Sequence, residues 1–331
     1  MKFLKISWFL VGLGLLFPWL GSAEMVIENR ESYIAPHLNE VGAECCLAML
    51  ASEKITDDRN NVLTLQHHKQ QQFRTRLLIS SVLLGTALYG VTTWWDDSSS
   101  EFRVRHEDWF GAETPNGGAD KLGHAYSFYV STRLMKTGFE WAGHNRRQAA
   151  QLAGITSAAL SVGVEVMDGF TEKYGFSTED VIMNLSGIGA GVFLESNPSW
   201  DDLFDIRLKY WLSDDARRLD EYDPFTDYSG QTYLLITKAS GVSKLRQHNI
   251  LRYLELALGY GTRGYQPTDG TNTQLKERNF YYGLSLNLSE LLNDMVFKNG
   301  KRAKSRTQQV TEEILEYLQM PGTALLFEHN L

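Results

Sequence analysis

Cysteine is nearly absent: the 331 residues hold two, Cys45 and Cys46, side by side. Neither a disulfide framework nor a thiolate zinc cluster can be built from that pair. A bridge between adjacent residues is strained, so ordinary packing is their expected role. Basic charge is in short supply too. Lys and Arg number 32 against 40 Asp and Glu, a net charge of −8 at pH 7. That sign argues against nucleic acid as a partner, because phosphates need clustered cations. The chain also lacks a Gly-x-Ser-x-Gly stretch, which removes the nucleophile-elbow hydrolases. What remains is 43% hydrophobic, 12% aromatic and 22% charged. This is a globular mix with enough length for one or two domains, and it excludes disordered, collagen-like and low-complexity architectures.

The amino terminus supplies an address. Lys2 and Lys5 flank the start of the apolar run Ile6–Leu20, and Gly21-Ser22-Ala23 stands before Glu24. A basic start, an apolar run and small residues at the cut mark an export signal over 1–23, with an uncleaved anchor as the other reading. No cysteine follows the run for lipid attachment. The expected location is the periplasm, at the inner or outer membrane, with a membrane surface or an envelope protein as partner.

Residues 24–72 are polar, and His67-His68 reads as a solvated helix face rather than a metal pair. Leu77–Trp95 carries no charge and approaches the length of a membrane span, with Trp94 and Trp95 where an aromatic belt would lie. Arg74 and Arg76 before it and Asp96 and Asp97 after it would put its start in the cytoplasm, whereas a cleaved signal would leave that start outside. The segment is therefore read as part of a membrane-associated bundle rather than of a polytopic protein. Three more helices are expected at about 120–139, 147–170 and 178–195, the last with Gly187 and Gly191 spaced for close helix approach. The expected fold is mainly α: a membrane-associated four-helix bundle over 73–199, then an aromatic-rich region over 200–300 with a small antiparallel β-sheet, then a helix and tail over 301–331. Thr232–Thr237, Tyr253–Tyr260 and Leu284–Leu288 read as strands by period-two alternation, the last two joined through Gln266–Arg278. Gly259, Gly261 and Gly264 read as turn formers, and Gln308–Leu318 as a short amphipathic helix.

The residues suited to chemistry lie on the three later helices. Asp120 and His124 share a face at i and i+4, as do Glu165 and Asp168 at i and i+3. Asp180, Asn184, Gly187 and Gly191 form one stripe. If helix ends alternate up and down, these groups converge at one end of the bundle. Their acids then need compensation from Lys121, from charged His124, from shared protons or from a bound cation. Asp120 and His124 are the candidate ligands of a divalent metal, with zinc, manganese or iron as the candidate ions. Glu165 and Asp168 are the candidate catalytic carboxyls, with Lys121, Asp180 and Asn184 supporting them. No residue is assigned to an organic cofactor. The competing reading is structural: Asp120 caps a helix, Ser177 and Asp180 form a capping-box variant, Lys121 locks helices by ion pairs, and Glu165 and Asp168 face solvent near a helix end.

The order Asp120-Lys121-x-x-His124, then the acidic helix end, then Ser177-x-x-Asp180-x-x-x-Asn184-x-x-Gly187, resembles the YfiM-like family of predicted periplasmic lipoproteins. Tyr222–Tyr233 and Gly259-Tyr260-Gly261 resemble longer members of that group. The helical part is also similar to VanZ-like membrane proteins in its motif order, although here Asp168 is followed by Gly169 and Phe170 rather than Gln and Arg. The resemblance implies an envelope protein without implying a reaction. A structural or scaffolding role is the first expectation, and a metal-dependent hydrolase acting on lipid or cell-wall material is the alternative.

Overall fold

The computed structural model describes residues 42–95, 98–99, 101–218, 227–265, 275–298 and 303–331, with side chains from 64 onward. The expected export signal lies outside the described residues. The described chain forms two compact units, one running up to Thr86 with Trp141–His144, the other holding Ala87–Glu140 and Asn145–Leu331.

The first unit is built on a long helix, α1 (Gly42–Tyr89). Gln71 Nε2 donates to Gly143 O at 2.9 Å, and the Arg74 guanidinium lies 4.9 Å over the Trp141 ring. His67 and His68 are exposed, as a polar helix face requires.

The second unit is helical in its first half. It contains α2 (Ala119–Ala142), α3 (Arg146–Asp168) and α4 (Thr178–Ser196), each within a few residues of the expected span. Asn145 caps α3 by accepting from Gln148 N, and Ser177 caps α4 by accepting from Asp180 N. Ala149, Ala153, Ser157, Ser161 and Glu165 form a buried stripe along α3 at four-residue spacing. Gly187 lets α4 press against α2. A Cβ there would stand 1.9 Å from the Ala125 carbonyl oxygen, a contact no side chain can occupy. Among the described residues, Thr64–Trp94 and Arg146–Asp168 are long and apolar enough to cross a membrane.

The second half is a five-stranded antiparallel sheet in the order β1-β2-β3-β4-β5: Phe204–Tyr210, Gln231–Lys238, Leu254–Arg263, Glu277–Leu286 and Ala324–Asn330. β3 lies where alternation places it and pairs with β4, Leu254 opposite Leu286, but β4 starts seven residues before the expected Leu284–Leu288 and ends at Leu286. A further helix, α5 (Arg306–Tyr317), precedes β5. The chain is thus mainly helical with a small antiparallel sheet. Two strands escape sequence reading. β1 turns Asp205 and Arg207 inward, so its buried face is charged and its pattern inverted. β5 is short and mostly exposed. Gly259 and Gly261 lie inside β3 rather than in a turn, and only Gly264, at φ +71°, has the expected turn geometry.

One sheet face carries Ile206 and Phe204 onto a core of Tyr129, Leu194 and Tyr317. The opposite face holds Leu234, Ile236 and Ala257 beside a buried ionic group. In it Arg207 grips both Glu255 oxygens at 2.8 and 2.9 Å, and Lys238 meets Asp205 at 2.5 Å.

Candidate functional site

Three helix ends meet in the second unit: α2 and α4 begin there and α3 ends there. The extended segment before α2 is tied to the α3–α4 connection. Arg103 N donates to Gly169 O at 2.7 Å and Phe176 N to Arg103 O at 2.9 Å. Phe102 packs edge-on against Phe170 with ring centroids 5.2 Å apart. That pairing carries Glu107 to the helix ends. Sequence reading missed Glu107, which sits in a loop without periodicity, so no local signal marks it.

Lys121 occupies the centre of the first half of the site. Its side chain is 1% exposed, and Nζ lies 2.6 Å from Glu107 Oε2, 2.7 Å from Asp180 Oδ1 and 3.0 Å from Asp120 Oδ2. Burial works against the ammonium, but Asp120 and Asp180 outweigh it and hold its pKa above the ordinary lysine value. Asp120 and Asp180 each lie in the first turn of a helix, where the dipole and the free backbone N–H groups favour negative charge.

His124 and Asn184 organise the second half. Asn184 Nδ2 donates to Glu165 Oε1 at 3.2 Å, which turns its Oδ1 toward His124 Nδ1 at 3.1 Å. In the neutral imidazole the proton then sits on Nδ1, and the Nε2 lone pair faces Asp180 Oδ1 at 3.7 Å. That separation lies beyond hydrogen-bond contact. Glu165 is 1% exposed. Burial pushes its carboxyl up to about 7, opposed by His124 and reinforced by Asp180 and Asp168. Asp168 is pushed up to about 6, again by burial, despite the hydrogen bond it accepts from Trp95 Nε1 at 2.7 Å. The expectation that these two acids face solvent at a helix end is therefore corrected: residues 101–107 and Trp95 pack against that end.

Tyr228 and Tyr233 border the site from the sheet side, and burial raises both phenols well above their ordinary range. Gly123 makes room for them, since a Cβ there would lie 2.8 Å from the Tyr233 hydroxyl.

Among the described residues, two groups of potential ligand atoms each lie within 4.8 Å of one another: His124, Glu165 and Asp180, and Glu107, Asp120 and Asp180. The second group already surrounds the Lys121 ammonium. The first offers an imidazole and two carboxyls, donors suited to zinc, manganese or iron. Asp120 and His124, expected together as ligands, fall in different groups. Asp180, expected only as support, belongs to both.

These groups, apart from Trp95 and the two tyrosines, lie between His106 and Ser196. Residues 106–196 match the model of a family described as predicted periplasmic lipoproteins, DUF2279. The DUF2279 segment thus covers the acids, Lys121, His124 and Asn184, while the five-stranded sheet falls outside it. The family's description supports a periplasmic address. No curated protein and no solved structure matches the chain.

Proposed function

We propose that the DUF2279 segment carries a hydrolytic centre of the periplasm, assisted by one divalent cation, with lipid or cell-wall material as its substrate class. The observation that carries this reading is the imbalance of the centre. Five carboxyls (Glu107, Asp120, Glu165, Asp168 and Asp180) surround one ammonium and one imidazole whose Nε2 stands 3.7 Å from its nearest acid partner. A buried cluster with so many acids costs stability unless protons or a cation neutralise it, so stability alone is a poor reason to build it. His124 through Nε2, Glu165 and Asp180 are the donors for the ion, which when bound would acidify a water for attack. Asn184 holds the imidazole in the tautomer that frees Nε2. Asp168, with its pKa near 6, is suited to hold or release a proton close to neutral pH. Asp120 and Glu107 keep Lys121 in place and fix Asp180 through it.

The test is metal content and binding. The full chain purified without added metal is dialysed against zinc or manganese, and the bound ion is counted by elemental analysis. One equivalent is expected, lost in His124→Ala with the far-ultraviolet circular dichroism unchanged. No bound ion, together with equal thermal midpoints in the presence and absence of both metals, overturns the reading.

A structural role is the second reading, and Lys121 favours it. Its ammonium already lies between three carboxylates at 2.6, 2.7 and 3.0 Å, which is the place a cation would take in that half of the site. On this reading the cluster pins three helices of an envelope scaffold. Membrane association fits either reading, since Thr64–Trp94 has the length and hydropathy of a span.

A further inference from the structure

The sheet is built inside out. Its ionic face, with Arg207, Asp205, Glu255 and Lys238, is buried, while much of the other face is apolar and open to solvent. Ile206 and Tyr233 cover part of that outer face by packing toward α2, where the Tyr126 and Tyr233 rings approach to 5.9 Å. Beyond them the register aligns Leu258, Tyr282 and Phe327 in one row and Leu256, Leu284 and Leu325 in the next. Tyr282 stacks on Phe327 with ring centroids 5.7 Å apart, yet Phe327 is 65% and Leu325 79% exposed. Isolated exposed apolar residues are ordinary, but a contiguous patch of this kind marks an interaction surface.

The charge around one end of the patch identifies the occupant. The connections after β2 and after β4 leave from the same end of the sheet. The first, 239–253, contains Lys244, Arg246, His248 and Arg252 and no acid. The second, 287–298, adds Lys298 together with Glu290 and Asp294, which pair with Arg252 at 2.5 and 3.5 Å. Arg246 meets Asp202 at 3.2 Å. Lys244, His248 and Lys298 are the exposed basic groups that remain to face a ligand there. Ile250, Met295 and Val296, exposed at 67%, 65% and 62%, stand among them. An apolar surface continuous with a basic collar complements an anionic bilayer: the apolar groups enter the acyl boundary and the cations meet the phosphates.

We propose that the outer face of the sheet, with the 239–253 and 287–298 connections, inserts shallowly into an anionic lipid surface. The proposal does not depend on the chemistry of the DUF2279 segment, and its failure would leave that reading untouched. Its test reads single positions, because apolar α1 could by itself bring the chain to vesicles. In the full chain carrying Cys45→Ser and Cys46→Ser, an environment-sensitive fluorophore is attached after Phe327→Cys, Leu256→Cys or Glu328→Cys. Vesicles of phosphatidylethanolamine with a minority of phosphatidylglycerol, with and without nitroxide-labelled lipid, are then added. Labels at 327 and 256 are expected to shift to the blue and to be quenched, about three-fold or more over the label at 328 on the opposite sheet face. Lys244→Glu with Arg246→Glu should weaken the vesicle-dependent shift about ten-fold. A label at 327 indifferent to vesicles, equal quenching at 327 and 328, or equal response to purely zwitterionic vesicles overturns the proposal. So does a concentration-dependent blue shift without lipid, which would make a second copy of the chain the occupant.

Discussion

Two charged centres flank α2, and they solve the same problem differently. At one, Arg133 is 3% exposed and meets Glu195 at 2.9 Å, Asp201 at 2.7 Å and Glu316 at 2.6 Å, while Lys136 takes the other Glu195 oxygen at 2.9 Å. The Tyr129 hydroxyl accepts a further donor of the same guanidinium at 2.6 Å. Those contacts tie α2, α4 and α5 together, and the planar fork of arginine suits that work. At the other centre Lys121 is saturated in the same way, but His124 stands 3.7 and 3.8 Å from Asp180 and Glu165. A raised carboxyl does not separate the two, because burial pushes Glu316 up to about 7 as it does Glu165. The difference is contact geometry: one centre is closed by its own cations, and the other keeps an oriented imidazole nitrogen beside excess acid.

The sharpest test of that contrast is to break each centre. Arg133→Met leaves Glu195, Asp201 and Glu316 buried without their main partner and should cost about 3–5 kcal/mol in urea unfolding. His124→Ala should cost about 1 kcal/mol or less, since its ring is 30% exposed and its contacts are long. Equal losses would erase the distinction.

The next effect concerns pH in the metal-free protein. Glu165 moves from 4.5 unfolded to about 7 folded, facing His124, Asp180 and Asp168. The folded state therefore holds more protons than the unfolded state between those values, and stability falls as pH rises through that window. Glu165→Gln should remove this slope and gain up to about 3 kcal/mol at pH 8, with little gain at pH 4. A variant whose thermal midpoint tracks the wild type across the window would show that Glu165 is not strained by its surroundings.

Metal should act on one centre alone. Zinc or manganese at about 100 times its dissociation constant should stabilise the wild type by about 2.7 kcal/mol and leave His124→Ala unmoved. Equal stabilisation of both would place the ion elsewhere. A loss of similar size to that of His124→Ala is expected from Ser177→Ala, which removes the acceptor for Asp180 N at 3.2 Å and should cost about 1 kcal/mol. A neutral outcome would mean that α4 starts correctly without its cap.

Much of this arrangement is legible in the chain because it follows local rules. Helix periodicity and caps locate α2, α3 and α4, and the spacing of Asp180, Asn184 and Gly187 puts a polar group beside a close helix contact. Alternating residue types find β2, β3 and the end of β4, although in β3 and β4 the leucines face out and Glu255 and Ser285 face in. The rule fails for β1, whose buried positions are Asp205 and Arg207 and whose partner Glu255 lies 48 residues away from Arg207. Glu107 is invisible for a related reason: its role depends on a loop pairing with the distant stretch before α4, and no periodicity encodes that. The burial of Glu165 and Asp168 is hidden likewise, because it is imposed by Trp95 and residues 101–107 rather than by α3 itself.

Gly187 sets the working clearance of the charged pocket. With the Ala125 carbonyl 1.9 Å from where a methyl would stand, α2 and α4 touch backbone to backbone less than two turns from Asn184 and Asp180. Adding one carbon there would act as a wedge, prising Lys121 and His124 on one helix away from their partners on the other. The ionic geometry is thus governed by a steric stop outside it, and a mutation in wholly uncharged surroundings can disable it without touching a single polar atom.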